Sequence, residues 1–152
     1  MTNNAHAIRR SVLGIAFALT MAAEAIGADL TVTVLGVRSD RGQIALGLYE
    51  GAASWPDGTP AFQIDLPAAP ATLSYVFKDL PQGRYALSGF HDENANGRFD
   101  TGFLGLPREG FIFSRDRKPR FSSPGFEACA IDVGAAGTHI TVSVQYWPSA
   151  AP

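Results

Sequence analysis

Cysteine is nearly missing: Cys129 is the only one in 152 residues, which excludes an internal disulfide as a staple for the fold. Lysine is almost as scarce, with Lys78 and Lys118 alone, and methionine occurs twice. Because these strong helix formers are so few, helical bundles and coiled coils are excluded. No apolar run reaches the roughly 20 residues needed to span a bilayer as a helix. Charge of one sign forms no block: 12 Lys and Arg stand against 14 Asp and Glu, a formal net charge of -2. A nucleic-acid partner is therefore not expected. What the chain does have is 16 Gly, 10 Pro and 10 Phe, the composition of a turn-rich β protein. Its length allows one core and not two.

Residues 1–25 read as a secretory signal: Arg9 and Arg10 precede an apolar stretch from Val12 to about Ala23, followed by small residues. Ala23-Glu24-Ala25 fits cleavage after Ala25, and Ala28 is a second possible position. Removal leaves residues 26–152 as a single domain, with ten basic and thirteen acidic groups and a net charge of -3. The expected location is periplasmic or secreted, with no stable membrane insertion after cleavage. Cys129, in the alternating stretch FEACAIDV, reads as a buried small side chain rather than a nucleophile.

Apolar and polar residues alternate over Leu30 to Val37, Gln43 to Tyr49, Thr72 to Phe77, Arg84 to His91 and His139 to Tyr146. Phe62 to Leu66 and Phe126 to Val133 are weaker candidates, for about seven strands. In the last strong segment Ile140, Val142, Val144 and Tyr146 share one face, as in a half-buried antiparallel strand. Arg38-Ser39-Asp40-Arg41-Gly42 is short enough to join the first two strands as a hairpin. The reading is an all-β antiparallel sandwich with one long ordered loop. That loop, about 34 residues from Asp92 to Gly125, contains Phe99, Phe103, Leu104, Leu106, Phe111 and Phe113. A stretch so long and so apolar needs something to order its backbone.

The segment HDENANGRFD offers an organiser. With Asp92 as position 1, Asn94 stands at 3, Asn96 at 5, Gly97 at 6, Arg98 at 7 and Asp100 at 9, the spacing of the first nine positions of an EF-hand calcium loop. Alternate side-chain oxygens converge on one point, Gly97 allows the turn, and the Arg98 carbonyl adds a ligand. Hard oxygen donors suit Ca²⁺ rather than zinc or copper. Position 12 is Phe103 instead of the closing Glu, and the preceding segment reads as strand, so this is no EF-hand. Glu109 is the candidate for the last ligand, and the expected affinity is about 10⁻⁴ to 10⁻³ M. The competing reading is a set of Asx-turns without an ion.

The elements Leu80-Pro81-x-Gly83-x-Tyr85-Ala86, His91-Asp92-Glu93-Asn94-x-Asn96-Gly97-x-x-Asp100, Gly105-x-Pro107-x-Glu109-Gly110 and Phe113-Ser114 together resemble the bacterial DUF2141 family over about residues 30 to 147. Where that family tends to have an aromatic-glycine pair before Phe-Ser, this chain has Phe111-Ile112. The resemblance implies an exported Ig-like or prealbumin-like sandwich of unassigned function. The Leu-Pro-x-Gly-x-Tyr element also resembles prealbumin-like modules such as the collagen-adhesin B-type repeat, which implies an adhesion or scaffold role.

Two function classes remain. A small periplasmic hydrolase would use His91 with Glu109 or Ser114, although no Gly-x-Ser-x-Gly or His-Glu-x-x-His motif is present. A non-catalytic envelope module would bind a protein or a glycan. Its candidate contacts are Arg115, Arg117, Lys118 and Arg120 near Phe111, Phe113 and Phe121, taken as exposed, with Trp55 and Trp147 as possible sugar platforms. The non-catalytic module is the preferred reading.

Overall fold

The computed structural model describes residues 27–119 and 122–147. The signal segment 1–25, Arg120 and Phe121 lie outside the described residues. Eight strands form: β1 (Ala28–Leu35), β2 (Gln43–Tyr49), β3 (Phe62–Pro67), β4 (Leu73–Leu80), β5 (Gly83–Asp92), β6 (Gly110–Phe113), β7 (Ile131–Val133) and β8 (Thr138–Ser143). They build two facing sheets, ordered β4-β1-β8 and β3-β2-β5-β6, with β7 paired to the start of β5. The all-β sandwich read from alternation is the architecture found.

The period of two explains the core. Leu30, Val32 and Val34 of β1, Ile44, Leu46 and Leu48 of β2, and Leu87 of β5 point between the sheets and are buried. Ile140, Val142, Val144 and Tyr146 join the same core from the other end of the chain. Ala28, the second cleavage position, is the first residue of β1 and pairs with Leu80. Gly42, just before β2, takes φ +69, and a side chain there would run into the Asp92 carbonyl.

Three expectations need correction. First, β1 and β2 are not a hairpin: β1 pairs with β4 and β8, β2 pairs with β3 and β5, and residues 36–42 carry the chain from one sheet to the other. Second, β8 lies parallel to β1, Leu30 opposite Thr138 and Leu35 opposite Ser143. Alternation shows which face is buried but carries no record of strand direction. Third, Phe126–Cys129 is a single helical turn, α1, followed by β7, rather than one continuous strand.

A second apolar cluster sits on the outer face of the β3-β2-β5-β6 sheet. Tyr49, Ala86, Phe111, Phe113, Phe126 and Cys129 are buried there, and Trp55 packs edge-on against Tyr49, Phe113 and Phe126 at 5.3, 5.8 and 6.2 Å between ring centres. Trp55 Nε1 donates to the Pro124 carbonyl at 2.7 Å. Phe111 and Phe113, expected as exposed partners of the basic loop, are therefore part of this packing, and Trp55 acts as cover. Trp147 is partly exposed.

Candidate functional site

The residues singled out for ion binding gather where β5 ends and its continuation folds back over the outer sheet face. Asp92 follows Ser88 and Phe90 on that face, opposite Gln43 of β2, and is fully buried by the loop that it begins. Its Oδ1 accepts the Asn96 amide at 3.0 Å and its Oδ2 the Gly97 amide at 2.8 Å. Gly97 takes φ +73, the left-handed conformation expected at position 6. Asn94 Oδ1 accepts the Asn96 amide at 3.0 Å, and Asn96 Oδ1 accepts the Arg98 amide at 2.8 Å. These are Asx-turns, which draw the loop into a tight coil.

Asp100 closes the coil. Its Oδ2 accepts the side-chain amides of Asn94 and Asn96, at 2.7 and 3.0 Å, so the three polar ends meet at one atom. Glu109, 16 residues beyond Glu93, arrives at the same place: Oε1 accepts the Glu93 amide at 3.1 Å and Oε2 the Asp100 amide at 3.0 Å. Burial pushes the Glu109 carboxyl above its ordinary range, and the charges of Asp100 and Asp92 push it further, against the pull of the two amides. Thus Asp92, Asn94, Asn96, Asp100 and Glu109 are brought together. Arg98 is exposed, placed by its own amide, and Phe103 projects away at 88% exposure.

The donor set fits a hard cation in kind. Each carboxylate or amide oxygen has two lone pairs, so one that accepts an N–H keeps another to offer. Among the described residues no three His, Cys, Asp or Glu side chains form a ready metal cluster. The set mixes three carboxylates, Asp92, Asp100 and Glu109, with the two amides of Asn94 and Asn96. A neighbouring network escaped the sequence reading. Arg38 lies 4.3 Å over the Tyr146 ring and pairs with Glu93, while Ser39 Oγ donates to Glu93 Oε1 at 2.9 Å. The Arg38 hydrogen bond holds the Glu93 carboxyl down, from 4.5 to about 2. Separations of 54 and 55 residues leave no local signal for such pairs.

Among the described residues the hydrolase candidates form no hydrogen-bonded set. His91 is fully buried; Nδ1 meets the Tyr146 hydroxyl at 2.7 Å and Nε2 the Arg41 carbonyl at 2.8 Å. A carbonyl only accepts, so Nε2 carries the proton and, in the neutral ring, Nδ1 accepts from Tyr146. Ser114 is also fully buried: Oγ donates to the Cys129 carbonyl at 2.6 Å and accepts the Leu87 amide at 3.0 Å. Neither side chain is a hydrogen-bond partner of the other or of Glu109. Cys129 is buried as expected, and burial pushes its thiol to about 11.

Next to the ion-loop candidate the outer sheet face carries a trough of about 490 Å³. Register puts Asp65, Ala45, Phe90 and Phe111 in one row across four strands, and Gln63, Gly47, Ser88 and Phe113 in the next. Small residues on β2 and Ser88 make the floor; Gln63 and Asp65 form one bank, and aromatic rings the other. Gly97 and Phe99 of the loop close one end. Asp57 and Asp65 are the charged groups of this lining, with no Lys, Arg or His among the described residues that form it.

No curated protein and no solved structure matches the chain. A family model does, over residues 32–141, described as "Uncharacterized protein conserved in bacteria (DUF2141)", and the chain belongs to that family.

Proposed function

We propose that the protein is an exported, non-catalytic binding or scaffold module of the cell envelope, periplasmic or secreted, whose Asp92–Asp100 loop is stabilised by Ca²⁺. The observation that carries the ion is electrostatic. Burial first, and then the charges of Asp100 and Asp92, raise the Glu109 carboxyl, and among the described residues none of the three acids has an ion-pair partner. Arg38, beside the loop, is committed to Glu93. A divalent ion would relieve that repulsion and convert Asx-turn oxygens into ligands.

The binding half of the reading draws on the trough beside the loop. Exposed carboxylate and carboxamide groups on β3 face aromatic rings across a floor of small residues, and the absence of basic lining suits a neutral glycan better than an anionic one. Calcium would set the position of Gly97 and Phe99 at the end of that trough.

The test is the thermal midpoint of the purified chain in chelator and then across a calcium titration, with magnesium as control. A ligand at 100 times its Kd adds about 2.7 kcal/mol, which for a domain of this size is several degrees. A midpoint indifferent to calcium would refute the ion and leave a loop held by Asx-turns alone.

A further inference from the structure

Beyond the ion loop, the segment between Asp100 and Glu109 projects an apolar knob. Thr101 and Pro107 bridge its base; the Gly102 amide donates to the Leu106 carbonyl at 2.7 Å and the Gly105 amide to the Gly102 carbonyl at 3.1 Å. The tip is thus closed and ordered, yet Phe103 is 88% exposed, Leu104 82% and Leu106 43%. A Cβ built on Gly105 would meet nothing within 4 Å, as befits a convex point. Leu104 moreover takes φ 66 and ψ 16, a left-handed conformation that Gly or Asn adopts with far less strain. Neither the exposure nor the backbone of Leu104 serves the fold. Two costs borne together at one residue point to a contact made outside the molecule.

We infer that the Phe103-Leu104-Gly105-Leu106 tip docks the protein on an anionic lipid surface, its apolar side chains entering the headgroup–acyl boundary. Charge and shape select this occupant. Two exposed guanidinium groups flank the tip, Arg98 before it and Arg108 after it, and Arg108 Nε lies 3.2 Å from where a Gly102 side chain would begin. Both would meet phosphate when the tip enters. Of the acidic groups near its base, Asp92 and Glu109 are buried, Glu93 is paired with Arg38, and the half-buried Asp100 turns its Oδ2 to the side-chain amides of Asn94 and Asn96, which leaves Arg98 and Arg108 as the exposed charges beside the tip. A convex apolar point flanked by cations suits a soft anionic interface, which needs no matching pocket. The inference uses neither the calcium nor the trough.

Flotation with vesicles of phosphatidylcholine containing one quarter phosphatidylglycerol tests it. Parent and variants share the same N-terminal segment, so differences between them report the tip. The parent is expected to float with these vesicles and less with phosphatidylcholine alone. Phe103→Ser and Leu104→Gly should each weaken partitioning roughly tenfold or more, the loss of one buried large apolar side chain. Leu104→Gly should do so with a thermal midpoint equal to or above the parent's, and Arg98→Gln with Arg108→Gln should abolish the preference for the anionic vesicles. A parent that does not float, or a Leu104→Gly chain that floats like the parent, overturns the inference and leaves the tip to a protein pocket. A midpoint lowered by Leu104→Gly would overturn it too, by giving Leu104 a role in the fold.

Discussion

Glu109 holds Asp100 by its backbone: Oε2 accepts the Asp100 amide at 3.0 Å while Oε1 of the same carboxylate accepts the Glu93 amide at 3.1 Å. One side chain thereby ties both ends of the loop to β6, whose first residue follows it. Glu109→Ala would free two partly buried N–H groups and relieve some carboxylate repulsion. The unpaired donors dominate, because leaving the two partly solvated N–H groups without a partner costs about 1–3 kcal/mol in all, while the repulsion is screened by water. We expect a loss of about 1–3 kcal/mol in urea unfolding, with faster hydrogen exchange at the Glu93 and Asp100 amides. Unchanged protection at those two amides would show that the loop ends are held otherwise.

The pH dependence follows from two carboxyls that shift in opposite directions. Glu93 titrates at about 2 in the fold against an ordinary 4.5, so its pairing with Arg38 contributes fully above about 4.5 and is lost as pH falls toward 2. Glu109 is raised, so its contribution is present below the ordinary carboxylate range and is lost as pH rises through its folded value. Arg38 is substantially exposed, which keeps its pair with Glu93 to about 1 kcal/mol. Arg38→Ala is expected to lower stability by that amount at neutral pH and by nothing measurable near pH 2. A deficit that persisted in acid would assign the loss to the Tyr146 stacking instead.

Much of this was legible in the residues, and the gaps have physical causes. Gln43–Tyr49 was read with its observed bounds, since β2 alternates between core and outer face. Gly110–Phe113, read as part of the long loop, is a strand without visible alternation because all four residues are buried: Ile112 faces the core, while Phe111 and Phe113 belong to the second cluster. Coverage on both sides erases alternation. Asp92, Asn94, Asn96 and Asp100 lie together, and Glu109 with them, through the Asx-turn contacts of the competing reading, with the side-chain nitrogens of Asn94 and Asn96 turned to Asp100 and their oxygens to backbone amides. The clamp of Glu109 on two amides was not visible, because a backbone partner leaves no mark on composition. For the same reason Ser114 looked like a candidate nucleophile rather than a buried bridge.

That bridge makes a separate prediction. Ser114 Oγ links the Leu87 amide on β5 to the Cys129 carbonyl at the end of α1. Ser114→Ala leaves a buried donor and a buried acceptor unsatisfied and should destabilise the chain by about 1–3 kcal/mol. Labelling of the Cys129 thiol reads the same event. Native Cys129, fully buried and with its thiol pushed to about 11, should resist a thiol reagent until the chain unfolds. In Ser114→Ala labelling should accelerate, since the contact that seats α1 on β5 is gone. Equal labelling rates in the two chains would refute the bridging role.

Asp100 separates the two accounts of the loop. Its Oδ2 receives the amides of Asn94 and Asn96, a task that an amide oxygen performs nearly as well as a carboxylate. Asp100→Asn should therefore leave stability in chelator unchanged or slightly higher, because a charge that repels Glu109 disappears. If calcium is held here, removing one of two loop carboxylates should shift the calcium needed for half of the thermal stabilisation upward by at least about tenfold, a loss of about 1.4 kcal/mol in binding. The midpoint in chelator reports the Asx-turn scaffold, and the calcium titration reports the ion. A calcium response equal to the parent's would place the ion elsewhere. A collapse in chelator would instead mean that the charge of Asp100 itself orders the coil.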